Sequence, residues 1–385
     1  MNPLFAQQPT SIFAHMSMLA AEHQAINLGQ GFPDFGWPDD VVLRAADALR
    51  TGSNQYAPMR GLPELRQAVV QHYARHQAIE YGLNEVTITS GATEALASAI
   101  MALVSPGDEV LLFQPLYDAY VPLVRRAGGV ARFVRLEPPD WRITREKIEQ
   151  ALSPRTRLLI FNNPHNPTAR LFGESELKAV AEVCVERSLI ALTDEVWEHI
   201  VFDGGKMVPL ASLPGMRERT VKIGSAGKIF SLTGWKVGWI TAPAELAVPI
   251  SKAHQYMTFA TPPNLQAAVA YGLGKDDEYY CAMRARFADA RDAMDRKLKA
   301  AGFATLPAEG TYFLSINLDA SGIDADDVTF CERAVREAGV AAIPVSAFYD
   351  ENPVRSVIRL CFAKQPRTIE AGIEKLGRAK ALVAG

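Results

Sequence analysis

Residues 157–167 read RLLIFNNPHNP, a short apolar run closed by two asparagines and a pair of prolines around His165-Asn166. An apolar run this short, bounded by turn residues, predicts a strand buried on both faces. The pattern recurs to either side. Upstream, residues 85–89 (EVTIT) run into Ser90-Gly91-Ala92-Thr93, and 109–114 (EVLLFQ) stop at Pro115. Downstream, 189–193 (LIALT) lead into Asp194-Glu195-Val196-Trp197, and strands at 221–223 and 237–241 flank Gly224-Ser225-Ala226-Gly227-Lys228. Helical patterns lie between them at 63–79, after SGAT as far as Val104, and at 174–187. Strands alternating with helices predict an α/β fold with a mostly parallel central sheet flanked by helices. Ligands in such folds sit beyond the carboxyl ends of the strands. The polar clusters SGAT, NNPHNP, DEVW and GSAGK all fall there.

Beyond about Tyr279 the pattern changes. A helical stretch at 278–301 leads to Gly310-Thr311-Tyr312-Phe313-Leu314, a helix near 325–338, and VIRLCF at 357–362. This predicts a smaller α+β domain. The expected organisation is an N-terminal arm and small-domain segment at 1–33, a large domain at 34–278 and a small C-terminal domain at 279–385.

The 385 residues are 48% hydrophobic and 22% charged, with a formal net charge of −3, which describes an ordinary soluble chain without a basic footprint for nucleic acid. No apolar run reaches the length of a bilayer span. The first residues, MNPLFAQQPTSIFAHM, have neither a basic n-region nor a long apolar stretch, and no arginine. They predict neither a secretory nor a transit signal, so the expected compartment is the cytoplasm. Cys184, Cys281, Cys331 and Cys361 form no CxxC pair and no zinc-ligand spacing, so no metal is expected.

Lys228 stands among small residues, where its amine can approach a ligand and form a Schiff base with a carbonyl cofactor. Asp194 ends a buried strand, a costly place for an acid unless it meets a cation such as a protonated pyridine nitrogen. Read alone, Asp194 is better taken as a helix N-cap bonding its own backbone. The SGAT segment, between strand and helix, suits a phosphate at a helix N-terminus, or a plain cap by Ser90. The prolines hold the Asn166 amide rigid, as a donor to a ligand or as an Asx turn. His165 reads as a turn residue. Arg359, between apolar neighbours, invites a carboxylate, either a substrate's or an internal one.

These elements stand together in one known family. The chain resembles the class I/II aminotransferases of the pyridoxal-phosphate fold-type-I superfamily over residues 27–364. The resemblance rests on NLGQGFPDF (27–35), NQYAPMRG (54–61), TSGATEAL (89–96), NPHNP (163–167), TDEV (193–196), GSAGKIFSLTGWKVGW (224–239), HQYMTF (254–259), EGTYFL (309–314), VAAIPVSAFY (340–349) and IRLCFAK (358–364). GQGFPDF, NQYAPM, HQYMTF and AIPVSAFY are most similar to the branch of bacterial methionine aminotransferases and kynurenine aminotransferase/glutamine transaminase K enzymes.

The resemblance implies pyridoxal 5'-phosphate as cofactor and a ping-pong transfer from a large, mostly uncharged amino acid to a 2-oxo acid, with methionine favoured over glutamine, aromatic amino acids and kynurenine. Lys228 is implied to bond the cofactor and shuttle the substrate proton. Asp194 pairs with the ring nitrogen, Asn166 donates to the ring oxygen, and Tyr117 stacks on the ring. Gly91, Ala92, Thr93, Ser225 and Lys236 surround the phosphate. Tyr56 reaches the neighbouring subunit's phosphate, implying a homodimer. Arg359 takes the substrate carboxylate with the Gly31 backbone beside it, and Phe13 and Phe259 match side-chain-pocket positions.

Two positions depart from the family pattern. Trp197 stands where tyrosine usually bonds the ring oxygen; either its N–H replaces the phenol or the ring turns away and Asn166 acts alone. Ala169 stands where many relatives have glycine. The rival readings are a β-eliminating lyase on cysteine S-conjugates, which uses the same proton abstraction, and a non-catalytic sensing domain. The sensor is disfavoured by the retained Lys228 and by how little precedes the match. A dehydrogenase is disfavoured because no GxGxxG follows a strand.

Overall fold

The computed structural model describes residues 3–6 and 9–384. After a short strand β1 (Ile26–Asn27), a seven-stranded sheet organises the larger part of the chain. It contains β2 (Val86–Thr89), β3 (Glu109–Gln114), β4 (Val130–Arg135), β5 (Thr156–Asn162), β6 (Ile190–Asp194), β7 (Thr220–Ser225) and β8 (Gly238–Thr241), in the order β2-β8-β7-β6-β5-β3-β4. Every pairing is parallel except the two made by β8. The α/β architecture therefore matches the expectation, and each predicted strand is present within two residues at either end.

Strand β4 (VARFVR) was not anticipated. It closes one edge of the sheet and alternates between exposed and half-buried positions until Val134. Arg132 takes one of the exposed positions, so the continuous apolar run that marks the central strands is missing.

The remaining strands are β9 (Ala304–Thr305), β10 (Phe313–Asn317), β11 (Val340–Ala341), β12 (Ile343–Pro344) and β13 (Val357–Cys361). A second, antiparallel sheet runs β12-β13-β10-β9. Strand β1 pairs in parallel with β11, and the Cys361 amide donates to the Leu28 carbonyl at 2.7 Å. These bonds seat residues 26–31 beside β13 and bring Gly29 and Gly31 near Arg359. The helix Asp277–Ala300 joins the two parts, its N-terminus capped by Asp276. No described helix is long and apolar enough to cross a membrane.

Behind the sheet, β7 buries Lys222. Its ammonium lies 2.8 Å from Glu198, 3.0 Å from Glu195 and 4.0 Å above the Tyr73 ring, and it also donates to Gln77. The ion pairing answers the cost of burying a charge. His72 and His199 lie alongside, Nε2 to Nε2 at 2.9 Å, and burial holds both imidazoles neutral.

Candidate active site

The sheet register sets the site. Asn162 pairs with Asp194 across β5 and β6, and Ser225 with Gly238 across β7 and β8, so the polar ends of four strands converge. A cavity of about 210 Å³ opens there, lined among others by Gly91, Ala92, Thr93, Tyr117, Asn166, Asp194, Trp197, Ser225, Lys228 and Lys236. Ten sequence-predicted residues are thus gathered from segments more than 140 positions apart.

One wall is the start of the helix Gly91–Leu103. Ser90 makes no side-chain cap; its backbone N–H instead donates to Glu94 at 3.0 Å. The simple-cap reading of Ser90 therefore fails, and the first helical N–H groups face the cavity as an anion site. Gly91 has φ +76, and a Cβ there would stand 3.1 Å from Lys236 Cε. A Cβ on Gly238 would stand 2.8 Å from the Gly91 carbonyl carbon. The two glycines let the helix start and the Lys236 ammonium close on one point.

Asp194 forms the floor. Its Oδ2 accepts from Tyr120 Oη at 2.7 Å, while Oδ1 is buried with no partner among the described residues. Burial pushes its carboxyl above the usual range, and the Tyr120 bond opposes the shift. Residues 195–200 form a turn and not a helix, so Asp194 is no N-cap. A buried acid with one unsatisfied oxygen is a seat for a cationic N–H. Lys228, on the one-turn helix Ala226–Ile229, donates to Tyr312 Oη at 3.1 Å. Burial pulls its amine down to about 8, against the pull of the Asp194 carboxylate.

A hydrogen-bonded line crosses the site. Asn162 Nδ2 donates to the Asp194 carbonyl at 2.7 Å, the Asn166 backbone N–H donates to Asn162 Oδ1 at 2.7 Å, and Arg359 Nη1 donates to Asn166 Oδ1 at 2.7 Å. With its oxygen engaged, Asn166 turns its NH₂ donors outward. The Arg359 guanidinium stacks 3.8 Å over Phe313, with Phe348 at 5.0 Å and Phe13 at 5.3 Å, and its Nε has no partner among the described residues. Burial lowers it to about 10, so it stays charged at neutral pH.

Three expectations fall outside the cavity or differ in detail. The carbonyl that Arg359 reaches is that of Gly29, at 3.4 Å, whereas the Gly31 carbonyl accepts from Tyr312 Oη at 2.7 Å. Tyr56 is 87% exposed, with Phe259 edge-on at 5.5 Å, so neither ring touches the cavity of its own chain. The Trp197 indole stands in the cavity wall, edge-on to Tyr312 at 4.4 Å with the Lys228 amine 4.6 Å from its ring centre. It has not turned away. His165 is a buried turn residue whose Nδ1 meets Thr168 Oγ1 at 2.7 Å, and burial draws it down to about 3.

Tyr120, Asn162 and Tyr312 were missed. EGTYFL contained Tyr312, but no local signal marks whose polar atom a lone phenol will face.

The cavity fits pyridoxal phosphate. A partnerless buried acid oxygen, a glycine-lined helix start beside Lys236, and a lysine amine share one 210 Å³ space.

Known proteins agree with this geometry. The family described as aminotransferase class I and II matches residues 23–376. The methionine aminotransferase of Escherichia coli is 41% identical over 97% of this chain and 98% of its own. Human kynurenine–oxoglutarate transaminase 1 is 35% identical over 94% of each chain. The solved structure of N-succinyldiaminopimelate aminotransferase from Mycobacterium tuberculosis superposes with a TM-score of 0.95 at 41% identity, covering 98% of this chain and 100% of that one. The fold is that of the fold-type-I enzymes.

Proposed function

This chain belongs to the class I and II aminotransferase family of pyridoxal-phosphate enzymes, and within it we propose a transaminase of large, uncharged amino acids, methionine foremost. The observation that carries the proposal is the cavity itself, where the Lys228 amine, the free Asp194 oxygen and Asn166 face one space, with Arg359, outside the cavity lining, bonded to Asn166 Oδ1.

The cofactor supplies an aldehyde that bonds the amino group and a ring that takes up the electron pair left at the substrate carbon. Lys228 holds the cofactor and, once released from it, Nζ takes the Cα proton and later redelivers it. An amine near 8 is matched to that exchange near neutral pH. Asp194 Oδ1 keeps a proton on the ring nitrogen. The N–H groups of Gly91, Ala92 and Thr93, with Ser225 and Lys236, hold the phosphate. Asn166 would donate to the ring oxygen, Trp197 walls the same space, and Tyr117 would cover the ring. Arg359 grips the substrate carboxylate and so orients Cα. One site serves donor and acceptor in turn, which is a ping-pong scheme.

The phenylalanines around Arg359 favour an apolar side chain, and the nearby Asp118 carboxylate disfavours an acidic one. The exposed Tyr56 and Phe259 support a homodimer in which Tyr56 reaches the partner's phosphate. Pairing of β1 with β11 supports a small domain built from residues 1–33 and 279–385. We also propose a cytoplasmic enzyme, in keeping with four unpaired cysteines.

The test is to add single amino acids to the holoenzyme without acceptor and follow cofactor absorbance. Methionine is expected to bleach the band, while aspartate and N-succinyl-diaminopimelate leave it. Bleaching by the succinylated substrate alone would move the assignment to that reaction, and pyruvate release from a cysteine S-conjugate would show the lyase.

A further inference from the structure

Tyr312 has no part in the roles above, yet it touches the central one. It precedes β10, is wholly buried, and is wedged edge-on against Trp197 at 4.4 Å. Its hydroxyl makes two hydrogen bonds, to the Gly31 carbonyl at 2.7 Å and from Lys228 Nζ at 3.1 Å. A phenol has one proton. A carbonyl can only accept, so that proton is committed to Gly31. Toward Lys228 the hydroxyl oxygen can therefore only accept.

We propose that Tyr312 is a positioning residue for Lys228, receiving one N–H of the unbonded amine so that the nitrogen lone pair is left free to face the substrate. The proposal rests on Lys228 being the base. It ties the base to residues 26–31, which are held on the small sheet through β1 and Leu28. While the Gly31 carbonyl is in place, the phenol proton is occupied. If that carbonyl withdraws, the proton is free to turn to the lone pair of Lys228 and mask it. The base is thereby strongest when the N-terminal segment is seated. Trp197 contributes the wall that stops the Tyr312 ring from swinging.

Three variants test this: Tyr312→Phe, Gly31→Ala and the double substitution. Alanine at position 31 places a Cβ 2.6 Å from Phe313 Cζ, so either the segment or the Phe313 ring must move. With methionine, Tyr312→Phe is expected to lower kcat about tenfold with KM within about twofold, and to raise the isotope effect of α-deuterated methionine. Gly31→Ala is expected to lower kcat in the parent but add little to Tyr312→Phe, because both break one chain of contacts.

A readout independent of turnover uses cofactor-free protein. Acetylation of Lys228, followed by peptide mass spectrometry across pH, is expected to show a lower midpoint in Tyr312→Phe, because an ammonium donates to the phenol more strongly than an amine does. An unmoved midpoint, an unchanged isotope effect or fully additive losses each overturn the proposal. Lys228→Ala that still transaminates overturns the underlying reading instead, and is distinguished because the acetylation profile does not depend on catalysis.

Discussion

Replacing Arg359 by lysine keeps a charge but removes the planar fork. The guanidinium donates to Asn166 Oδ1 at 2.7 Å and stacks 3.8 Å over Phe313, leaving its remaining N–H groups for a substrate carboxylate. An ammonium in the same place cannot stack or grip both carboxylate oxygens. The loss is about one charge-assisted hydrogen bond, roughly 1.5–3 kcal/mol, or about 10- to 150-fold in affinity. Methionine KM is therefore expected to rise by about that factor, with a smaller fall in kcat. Burial has already drawn the guanidinium down to about 10. An ammonium starts from a lower reference value, so it loses its proton first and the KM penalty grows as pH is raised from about 7 to 9. Steady-state kinetics with methionine, alongside the decarboxylated analogue 3-(methylthio)propylamine, isolates the carboxylate. The amine is expected to react equally in both proteins. A methionine KM raised less than threefold, or an equal loss with the amine, would refute the assignment of Arg359.

Three further outcomes are expected. Lys222→Met leaves Glu195 and Glu198 buried without their cation; urea unfolding at pH 7 is expected to show a loss of about 3–5 kcal/mol. Burial already raises the Glu198 carboxyl, and without Lys222 it rises further. The deficit is then full above that raised folded-state pKa and shrinks as pH falls through it toward the unfolded value, so a loss that is the same at pH 5 and pH 8 counts against this account. Trp197→Tyr supplies a phenol to the ring oxygen and is expected to lower the pH midpoint of the cofactor's visible absorbance; equal midpoints would mean the indole N–H already serves. Ala169 holds φ +61, a left-handed backbone that favours glycine, so Ala169→Gly is expected to raise stability by up to about 1 kcal/mol in the same unfolding assay, and a loss would mean the strain is offset elsewhere.

Much of the fold was legible because its signals are local. A strand buried on both faces must be apolar along its length, and it must end where polar turn residues begin. That rule located six strands of the large sheet and placed SGAT, NNPHNP, DEVW and GSAGK at their ends. It missed β4, since an edge strand meets solvent and can carry polar residues such as Arg132. Lys228, Asp194 and Asn166 were legible by type and position. Their partners were not. Tyr120 and Asp194 are 74 residues apart, and Tyr312 and Lys228 are 84 apart.

The sequence by itself determined the strand-and-helix order, the cluster of polar ends and the chemistry those residues are suited to, because each follows from the periodicity and character of neighbouring residues. Only the tertiary structure decided which lone pairs and protons meet. It left Asp194 Oδ1 unsatisfied, rejected Ser90 as a cap and kept Trp197 in the wall. It also committed the Tyr312 proton to Gly31. Hydrogen bonds act over about 3 Å and require alignment, and such alignment between distant segments exists only once the two sheets and the N-terminal strand are packed together.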